Sequence, residues 1–298
     1  MEYHIPVMLR ECIEGLQIVE DGVYVDATFG GGGHSKEILK HLGEKGKLFG
    51  LDRDDDAFEN TIDDKRFKLI KTNYKNIKRF LRLEGITKVD GILADLGVSS
   101  HQLDIPERGF SFRYDERLDM RMNQQQPTSA YDVVNHYGVK KLQFVFGEYG
   151  EVRNARTLAQ QIVEARKEGE IETTGQFLAA IKSCVRGQEN KYLAKVFQAI
   201  RIEVNEELEA LKEFIEQSAD TLKTGGRFVV MSYHSLEDRL VKNFFRKGVF
   251  EGEPEKDLYG NYSHSLQIIN KKPIEASKEE LKENPRSRSA KLRIAEKL

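Results

Sequence analysis

Short runs of apolar, β-branched residues alternate with helical patterns along the first hundred residues of the chain. Strands are predicted over 23–27, 47–52, 67–71 and 89–95, and a helix over 35–42. Strands that alternate with helices are typical of βαβ units, in which the strands lie parallel in one sheet. The predicted fold class is therefore α/β, with the first hundred residues forming half of a doubly wound sheet.

The strand pattern stops near Pro106 and returns at Arg227. Helices are predicted over 129–137, 152–167 and 174–185, and the clearest helical stripe, with apolar residues three or four apart, follows over 196–222. Gly225 and Gly226 are expected to end that helix before a strand over 227–232. The sheet domain is therefore predicted to be discontinuous, with residues 1–105 and 206–298 on either side of an inserted helical domain over 106–205.

Four consecutive glycines, 30–33, lie between the first strand and its helix, where a bare backbone lets a nucleotide-like ligand approach. A dinucleotide fingerprint would need its third glycine at Ser35 or Lys36, and a P-loop would need a Lys-Ser or Lys-Thr pair. Asp52 ends the second strand, where a carboxylate can accept both hydroxyls of a ribose. S-adenosylmethionine, a nucleoside with an amino-acid tail and no phosphate, fits this set best; a plain glycine turn is the alternative.

Asp95 ends the fourth strand, so its carboxylate is expected to face the same crevice, with a turn or helix cap as the alternative role. His, Asp and Glu residues show no convincing metal-ligand spacing, and no metal is expected. Cys12 and Cys184 are far apart and lack a CxxC partner, so both are expected to be buried and free.

Composition and charge limit the class of protein further. The 298 residues are 39% hydrophobic and 32% charged, with a net charge of −2, which is typical of a globular protein. No apolar stretch reaches the ~20 residues that cross a bilayer, and no signal sequence opens the chain, so a cytoplasmic enzyme is expected. Acids dominate 52–64 and bases dominate 285–298, which leaves room for a local polyanion site.

Seven runs together closely resemble the bacterial ribosomal RNA small subunit methyltransferase H family, also called MraW. In order, they are DATFGGGGHS from Asp26, DGILADLGVSS from Asp90, RGFSF from Arg108, LDMRM from Leu118, FQAIRI from Phe197, HSLEDR from His234 and NPRSRS from Asn284. The resemblance covers nearly the whole chain.

This resemblance implies an S-adenosylmethionine-dependent enzyme that methylates the N4 amine of a cytidine in the decoding centre of 16S rRNA. It also implies a Rossmann-like methyltransferase domain interrupted by an all-helical domain that recognises the substrate. The family's cofactor residues map onto Gly32, Gly33, His34, Asp52, Tyr74, Asp95 and Gln102.

A cytosine amine is a poor nucleophile, so the enzyme must accept its N–H bonds while the methyl group is held in line. Asp95 is the first candidate acceptor and His234 the second, with a structural hydrogen bond as the alternative role of the histidine. The RNA contacts are assigned to Arg108, Phe110, Phe112, Arg121, Arg201, Arg239, Arg286 and Arg288. Burial in the helical core is the alternative for the two Phe residues, and a solvated tail is the alternative for the bases of the carboxyl-terminal segment, 285–298.

Two other functions would explain parts of the pattern. An RNA-binding assembly factor would keep the basic and aromatic loop but would not need the glycine run with Asp52 and Asp95. A DNA amino-methyltransferase usually places a Pro-Pro-aromatic run after the strand-four acid, where Leu96, Gly97 and Val98 stand here. RNA is therefore favoured as the substrate. The sequence leaves the oligomeric state open.

Overall fold

The structure, a computed structural model, describes residues 6–98, 105–254 and 264–298. It divides into two compact units, one formed by Met1–Gly97 with Leu208–Leu298 and the other by Val98–Glu207. The chain thus leaves the first unit after strand four and returns to it before strand five, and the predicted insertion, 106–205, lies within the second unit.

The first unit is built on a sheet of seven strands within the described residues. They are β1 (Val23–Asp26), β2 (Lys47–Asp52), β3 (Phe67–Lys71), β4 (Val89–Asp95), β5 (Leu222–Ser232), β6 (Leu266–Ile268) and β7 (Lys291–Lys297). Their order across the sheet is β3-β2-β1-β4-β5-β7-β6. Strands β1 to β5 are parallel, and β7 runs antiparallel to both β5 and β6. The predicted α/β fold class is confirmed, whereas β6 and β7 were not predicted.

The α-helices of the described residues complete the two units. They are α1 (Leu9–Leu16), α2 (Gly33–His41), α3 (Ile77–Leu83), α4 (Ala130–His136), α5 (Val139–Phe144), α6 (Ala155–Ala165), α7 (Thr174–Ile181), α8 (Glu189–Asn205), α9 (Glu207–Thr221), α10 (Ser235–Lys247) and α11 (Lys278–Glu283). None of the helices in these described parts of the chain is long and apolar enough to cross a membrane.

Both faces of the sheet are covered, because strand residues of alternating position point to opposite sides. On one side, residues such as Val25, Ile92 and Phe228 pack in one cluster with α3, α9 and α10. On the other side, their neighbours Tyr24 and Leu93 pack in a second cluster with α1 and α2. Strands buried on both faces explain the nearly continuous apolar runs of the sequence.

The strand order reverses between β1 and β4, since the chain runs from β1 outward to β3 and then crosses to β4 on the other side. The connections that leave the carboxyl ends of these two strands therefore diverge. In open α/β sheets this divergence creates the crevice in which ligands bind. The glycine run follows β1, and Asp95 is the last residue of β4.

The helical unit begins two of its helices with side chains that cap the backbone. Ser129 caps α4 in a capping box with Asp132, and Thr173 caps α7 in another with Gln176. The aromatic residues Phe112, Phe177 and Phe197 meet in its core. Its helices α4, α6 and α7 lie within the three ranges that the sequence predicts.

The long helical stripe was predicted as one helix and is two. α8 ends at Asn205 and α9 begins at Glu207, because Glu206 has the left-handed φ of 50° that interrupts a helix. Gly225 and Gly226 do not end a helix either. α9 ends at Thr221, and the glycines lie within β5, where the pairing with β4 shifts register.

Candidate functional site

The four glycines of the run differ in what their surroundings require. Gly30 and Gly32 have φ values of 51° and 72°, the left-handed region that favours glycine, and Gly32 is the N-cap of α2. A Cβ on Gly33 would overlap Cγ of Pro6, so this glycine allows close packing. A Cβ on Gly31 would meet no atom within 4 Å. Neither packing nor a positive φ calls for a glycine at position 31, and the open space beside it is where a ligand could lie.

Two carboxylates bond to the glycine run or to the residues that flank it. Asp52, at the end of β2, accepts the backbone N–H of Gly30 on Oδ2 at 2.8 Å and that of Asp54 on Oδ1 at 2.9 Å. Asp26, at the end of β1, is buried and accepts the Ser35 hydroxyl at 2.7 Å. Burial raises the pKa of Asp52, and it raises the pKa of Asp26 to about 6. Each Asp52 oxygen retains a lone pair for a second donor.

Asp95 is fixed at both its backbone and its side chain. Its backbone N–H donates to the Thr28 hydroxyl oxygen at 2.7 Å, which ties the end of β4 to the loop after β1. Its Oδ1 accepts the hydroxyl of Tyr233, also at 2.7 Å. Burial is the largest influence on Asp95 and raises the pKa of its carboxyl group to about 6. A carboxylate with a pKa near neutrality is suited to accept a proton during a reaction.

His34, predicted to touch the cofactor, is buried in the first turn of α2. Its Nε2 lies 3.1 Å from the carbonyl oxygen of Val7, which can only accept, so this nitrogen carries the proton. Burial lowers the pKa of His34 and favours the neutral ring. The observed contact therefore joins α2 to the segment before α1.

Tyr74 and Gln102 complete the predicted cofactor set. Tyr74 lies in a short turn after β3, half-buried, with its ring edge-to-face against Phe214 at 4.9 Å between centroids. Gln102 lies outside the described residues. The structure thus places Gly32, Gly33 and Asp95 at the carboxyl ends of β1 and β4, Asp52 at the end of β2, and Tyr74 one strand further out.

His234 caps the helix that follows β5. Its Nδ1 accepts the Glu237 backbone N–H at 3.4 Å, and the Glu237 carboxylate accepts the backbone N–H of His234 at 3.3 Å. Its Nε2 lies 3.2 Å from the other oxygen of Glu237. Both ring nitrogens thus face Glu237. The bond at Nδ1 is a structural hydrogen bond, the role that the sequence offers as the alternative to catalysis.

Sequence reasoning missed Tyr233 and Thr28, the two side chains that bond to Asp95. Thr28 lies inside the first motif and Tyr233 immediately before the HSLEDR motif. Tyr233 comes directly after β5, and Thr28 lies two residues after the end of β1. Parallel strands end at the same edge of a sheet, so these residues are expected to lie near each other. Position after a strand was therefore the signal that could have identified both residues.

Three of the arginines predicted to bind RNA make protein contacts in the helical unit. Buried Arg108 donates to the backbone carbonyls of Arg121 and Met122 at 3.0 and 3.2 Å. Arg121 forms a two-pronged pair with Asp119, at 2.9 and 2.7 Å. These bonds order the loop backbone, and in the structure the buried Arg108 guanidinium binds backbone carbonyls of the same loop.

Arg201 likewise pairs with Glu207 through two bonds of 2.9 Å, and both side chains are largely buried. Phe110 is buried in the helical core, and Phe112 packs edge-to-face on Phe197 at 5.4 Å, half-buried. Burial, the alternative that the sequence left open for the two aromatic residues, is what the structure shows for Phe110, whereas Phe112 is only partly buried. In the same loop Tyr114 is 49% exposed.

The remaining predicted arginines belong to the sheet unit and are exposed: Arg239 on α10, and Arg286 and Arg288 on the short turn before β7. The segment after that turn is not a solvated tail, because Lys291–Lys297 forms β7 within the sheet. Its Arg293 is buried and bonds to the Asp238 carboxylate at 2.7 Å, which removes one of the five terminal bases from any RNA surface.

Comparison with known proteins adds a whole-chain match. The model of the MraW methylase family matches residues 1–298. Ribosomal RNA small subunit methyltransferase H of Flavobacterium johnsoniae is 59% identical, covering 100% of this chain and 99% of its own, and that of Christiangramia forsetii is 56% identical with the same coverage. A solved structure of a putative rRNA-methylase from Clostridium thermocellum covers 99% of this chain and 100% of its own, with 15% identity and a TM-score of 0.46.

Proposed function

Since the chain belongs to the MraW methylase family, we propose that it transfers a methyl group from S-adenosylmethionine to the N4 amine of a cytidine in the decoding centre of 16S rRNA. The strongest support is the whole-chain match together with the names of relatives that are 56–59% identical. The rRNA of the small subunit is the partner, and the cytoplasm, where bacterial ribosomes are assembled, is the place of reaction.

The residues of the crevice fit S-adenosylmethionine. Space beside Gly31 allows close approach to the backbone, and the first turn of α2 presents N–H groups suited to a carboxylate. Asp52 has acceptor capacity left for ribose hydroxyls, and Tyr74 offers a ring beside the same strand end. Bound there, the cofactor supplies an electrophilic methyl group on a sulfonium sulfur.

Asp95 is the proton acceptor of the reaction in this proposal. Its Oδ1 accepts the Tyr233 hydroxyl, and its second oxygen is available for an N–H of the target amine. As the new N–C bond forms, Asp95 accepts the proton that the amine loses. Accepting the amine N–H bond also raises electron density on nitrogen, which addresses the weak nucleophilicity of a cytosine amine.

His234 contributes in this proposal through position. Its contacts with Glu237 shape the start of α10, and Glu237 also accepts the backbone N–H of Tyr233 at 2.9 Å. Asp95 is then the protein residue that contacts the reacting amine in this proposal. No proton transfer is assigned to His234 in this proposal, because its Nδ1 accepts the Glu237 N–H and its Nε2 lies beside the Glu237 carboxylate.

The helical unit, Val98–Glu207, recognises the RNA in this proposal. Its loop exposes Arg113, Tyr114 and Arg117, which can neutralise phosphate and stack on an unpaired base. Exposed Arg239, Arg286 and Arg288 add positive charge from the sheet unit. The target base must be single-stranded or extruded, because a paired base cannot place its amine in a strand-end crevice.

A methylation assay on small subunits from a strain that lacks the enzyme tests the proposal. We expect one methyl group per subunit, found by mass mapping as N4-methylcytidine, and no incorporation into duplex DNA. The Asp95→Asn variant serves as the control for contaminating activity, after its melting temperature has been matched to the wild-type protein. Recovery of only C5-methylcytidine or a ribose-methylated nucleoside contradicts the N4 assignment. If the protein binds RNA but neither transfers a methyl group nor binds S-adenosylmethionine, the assembly-factor alternative is supported.

A further inference from the structure

We infer that Tyr233 is a positioning residue of the methyl transfer, holding Asp95 so that one carboxylate oxygen faces the acceptor amine while the tyrosine hydroxyl occupies the other. The inference rests on the proposed role of Asp95. It adds a residue outside the motifs that define the site, placed there by the geometry after β5 rather than by any run of the sequence.

The hydrogen bond between the two side chains is short and specific. The Tyr233 hydroxyl donates to Asp95 Oδ1 at 2.7 Å, the distance of a strong O–H···O bond to a carboxylate. Asp95 has a fixed backbone, because its N–H donates to Thr28. With the backbone held and one oxygen occupied, rotation about the last bond of the Asp95 side chain is restricted. The second oxygen is thereby kept in one direction.

Tyr233 is itself held on two sides. Its backbone N–H donates to Glu237 Oε2 at 2.9 Å, a bond supplied by the capping box of α10. Its ring lies against Gly97, where a Cβ would meet Tyr233 Cδ2 at 3.4 Å, and the φ of 102° at Gly97 favours glycine. The tyrosine is thus braced before it reaches Asp95, as a positioning residue must be.

The ionisation of Asp95 depends on several groups besides Tyr233. Burial raises the pKa of Asp95, as do the charges of Asp26 and Glu237, whereas His34 and the Tyr233 hydrogen bond lower it. Burial, followed by the charge of Asp95, raises the pKa of the Cys12 thiol in α1. The Tyr233 hydroxyl is the one group in this set that bonds directly to the Asp95 side chain and favours its ionised form.

The pH dependence of turnover separates positioning from simple packing. In the wild-type enzyme, turnover with saturating small subunits and S-adenosylmethionine should rise with pH as Asp95 ionises. Tyr233→Phe removes the hydroxyl and keeps the ring. The acid limb, meaning the pH range over which turnover rises, should therefore shift to higher pH by about 1 pH unit. Replacement of Tyr233 with 3-fluorotyrosine gives a stronger donor, and the limb should move downward. The KM for S-adenosylmethionine should stay within about twofold in both variants.

Tyr24→Phe is the matched control. Tyr24 is a buried tyrosine of the same sheet, whose hydroxyl oxygen accepts the Val19 N–H at 2.9 Å near the amino end of β1, away from Asp95. The acid limb of the Tyr24→Phe enzyme should match that of the wild-type enzyme. An unshifted limb in Tyr233→Phe overturns the inference, and if that variant does not fold, an unshifted limb with 3-fluorotyrosine does so instead. Failure of the wild-type enzyme to methylate cytidine N4 overturns the proposed function, a different outcome.

Discussion

The backbone N–H of Gly30 donates to Oδ2 of Asp52 across 2.8 Å, so the acid at the end of β2 shapes the glycine run after β1. Asp52 also accepts the N–H of Asp54. One carboxylate therefore orders the loop and, in the proposed complex, accepts a ribose hydroxyl. Loss of this side chain should affect cofactor affinity through both contacts.

Asp52→Ala should weaken S-adenosylmethionine binding by about 10- to 100-fold, since a hydrogen bond to a charged group contributes roughly 1.5–3 kcal/mol. Isothermal titration of the free protein measures this change directly. Exposed Asp63, in the same acidic segment, provides the control, and Asp63→Ala should bind as the wild-type protein does. Equal affinity in the two variants would remove Asp52 from the cofactor site.

Replacement of the proposed acceptor should impair the chemical step more than substrate binding. Asp95→Asn keeps the size of the side chain and an acceptor for Tyr233, but it cannot take up a proton. Turnover should fall by about 10²- to 10⁴-fold, the usual contribution of a general base. RNA affinity, measured by filter binding at fixed salt, should change less than threefold. A large loss of RNA affinity with unchanged turnover per bound complex would argue against this role.

The acids of the crevice could be predicted from the sequence because their positions depend on strands alone. Strands β2, β3 and β4 have the predicted bounds, and parallel strands end at one edge, so Asp52 and Asp95 were expected near the glycine run. The position of Tyr233 directly after a strand could be read from the sequence, but its bond to Asp95 could not, because that bond depends on where one side chain lies relative to another. No local pattern encodes such a pairing.

The carboxyl-terminal strand and the division of the long helical stripe show the same limit. In β7, Arg293 is buried only because Asp238 of α10 pairs with it, so a basic segment gives no sign of a central strand. Apolar spacing continues from Val204 to Leu208 across Glu206, and the helix break there was invisible to periodicity. Neither the burial of Arg293 nor the helix break at Glu206 follows from the residues next to it in the sequence.

A buried acid should make the free energy of unfolding depend on pH. The pKa of Asp26 is raised from 3.8 to about 6 in the folded protein by burial, so folding favours its protonated form. This stabilisation is complete below about pH 4 and is lost as the pH rises through about 6. The shift of about 2 units corresponds to roughly 3 kcal/mol.

Asp26→Asn should therefore reduce the loss of stability between pH 4 and pH 7, because a neutral amide has no charge to bury. Urea unfolding at several pH values measures the effect, with Asp63→Asn as a control that should keep the wild-type pH profile. The Ser35 hydroxyl can donate to the amide oxygen of the variant, so the loop should remain folded. A pH profile identical to that of the wild-type protein would show that Asp26 does not titrate in this range.

Exposed and paired arginines should affect RNA binding differently. Arg288→Ala should weaken binding and lower the slope of log affinity against log salt by about 0.7–0.9, the loss of one phosphate contact. Arg201→Ala leaves Glu207 buried without its partner and should destabilise the helical unit by about 3–5 kcal/mol. Measurement of the salt slope and of urea unfolding for both variants separates the two roles. An unchanged salt slope in Arg288→Ala would remove this residue from the RNA surface.

Gly31 and Gly33, separated by one residue, provide the sharpest test of the cofactor crevice, because an added methyl group has different surroundings at the two positions. A Cβ on Gly31 would meet no atom within 4 Å, whereas one on Gly33 would overlap Cγ of Pro6. Gly31→Ala should thus keep the wild-type melting temperature and bind S-adenosylmethionine at least tenfold more weakly, because the added methyl group fills the space proposed for the ligand. Gly33→Ala should lose about 1–3 kcal/mol of stability through overpacking.

Thermal unfolding with and without S-adenosylmethionine distinguishes these effects in one experiment. Ligand that binds the folded state raises its stability in proportion to the logarithm of ligand concentration over Kd. The wild-type protein should show a ligand-dependent rise in melting temperature, and Gly31→Ala should lose most of it from an unchanged starting point. Gly85→Ala has open space but a φ of 73°, so it supplies a control with backbone strain away from the crevice. A full ligand response in Gly31→Ala would show that the cofactor does not lie against this part of the glycine run.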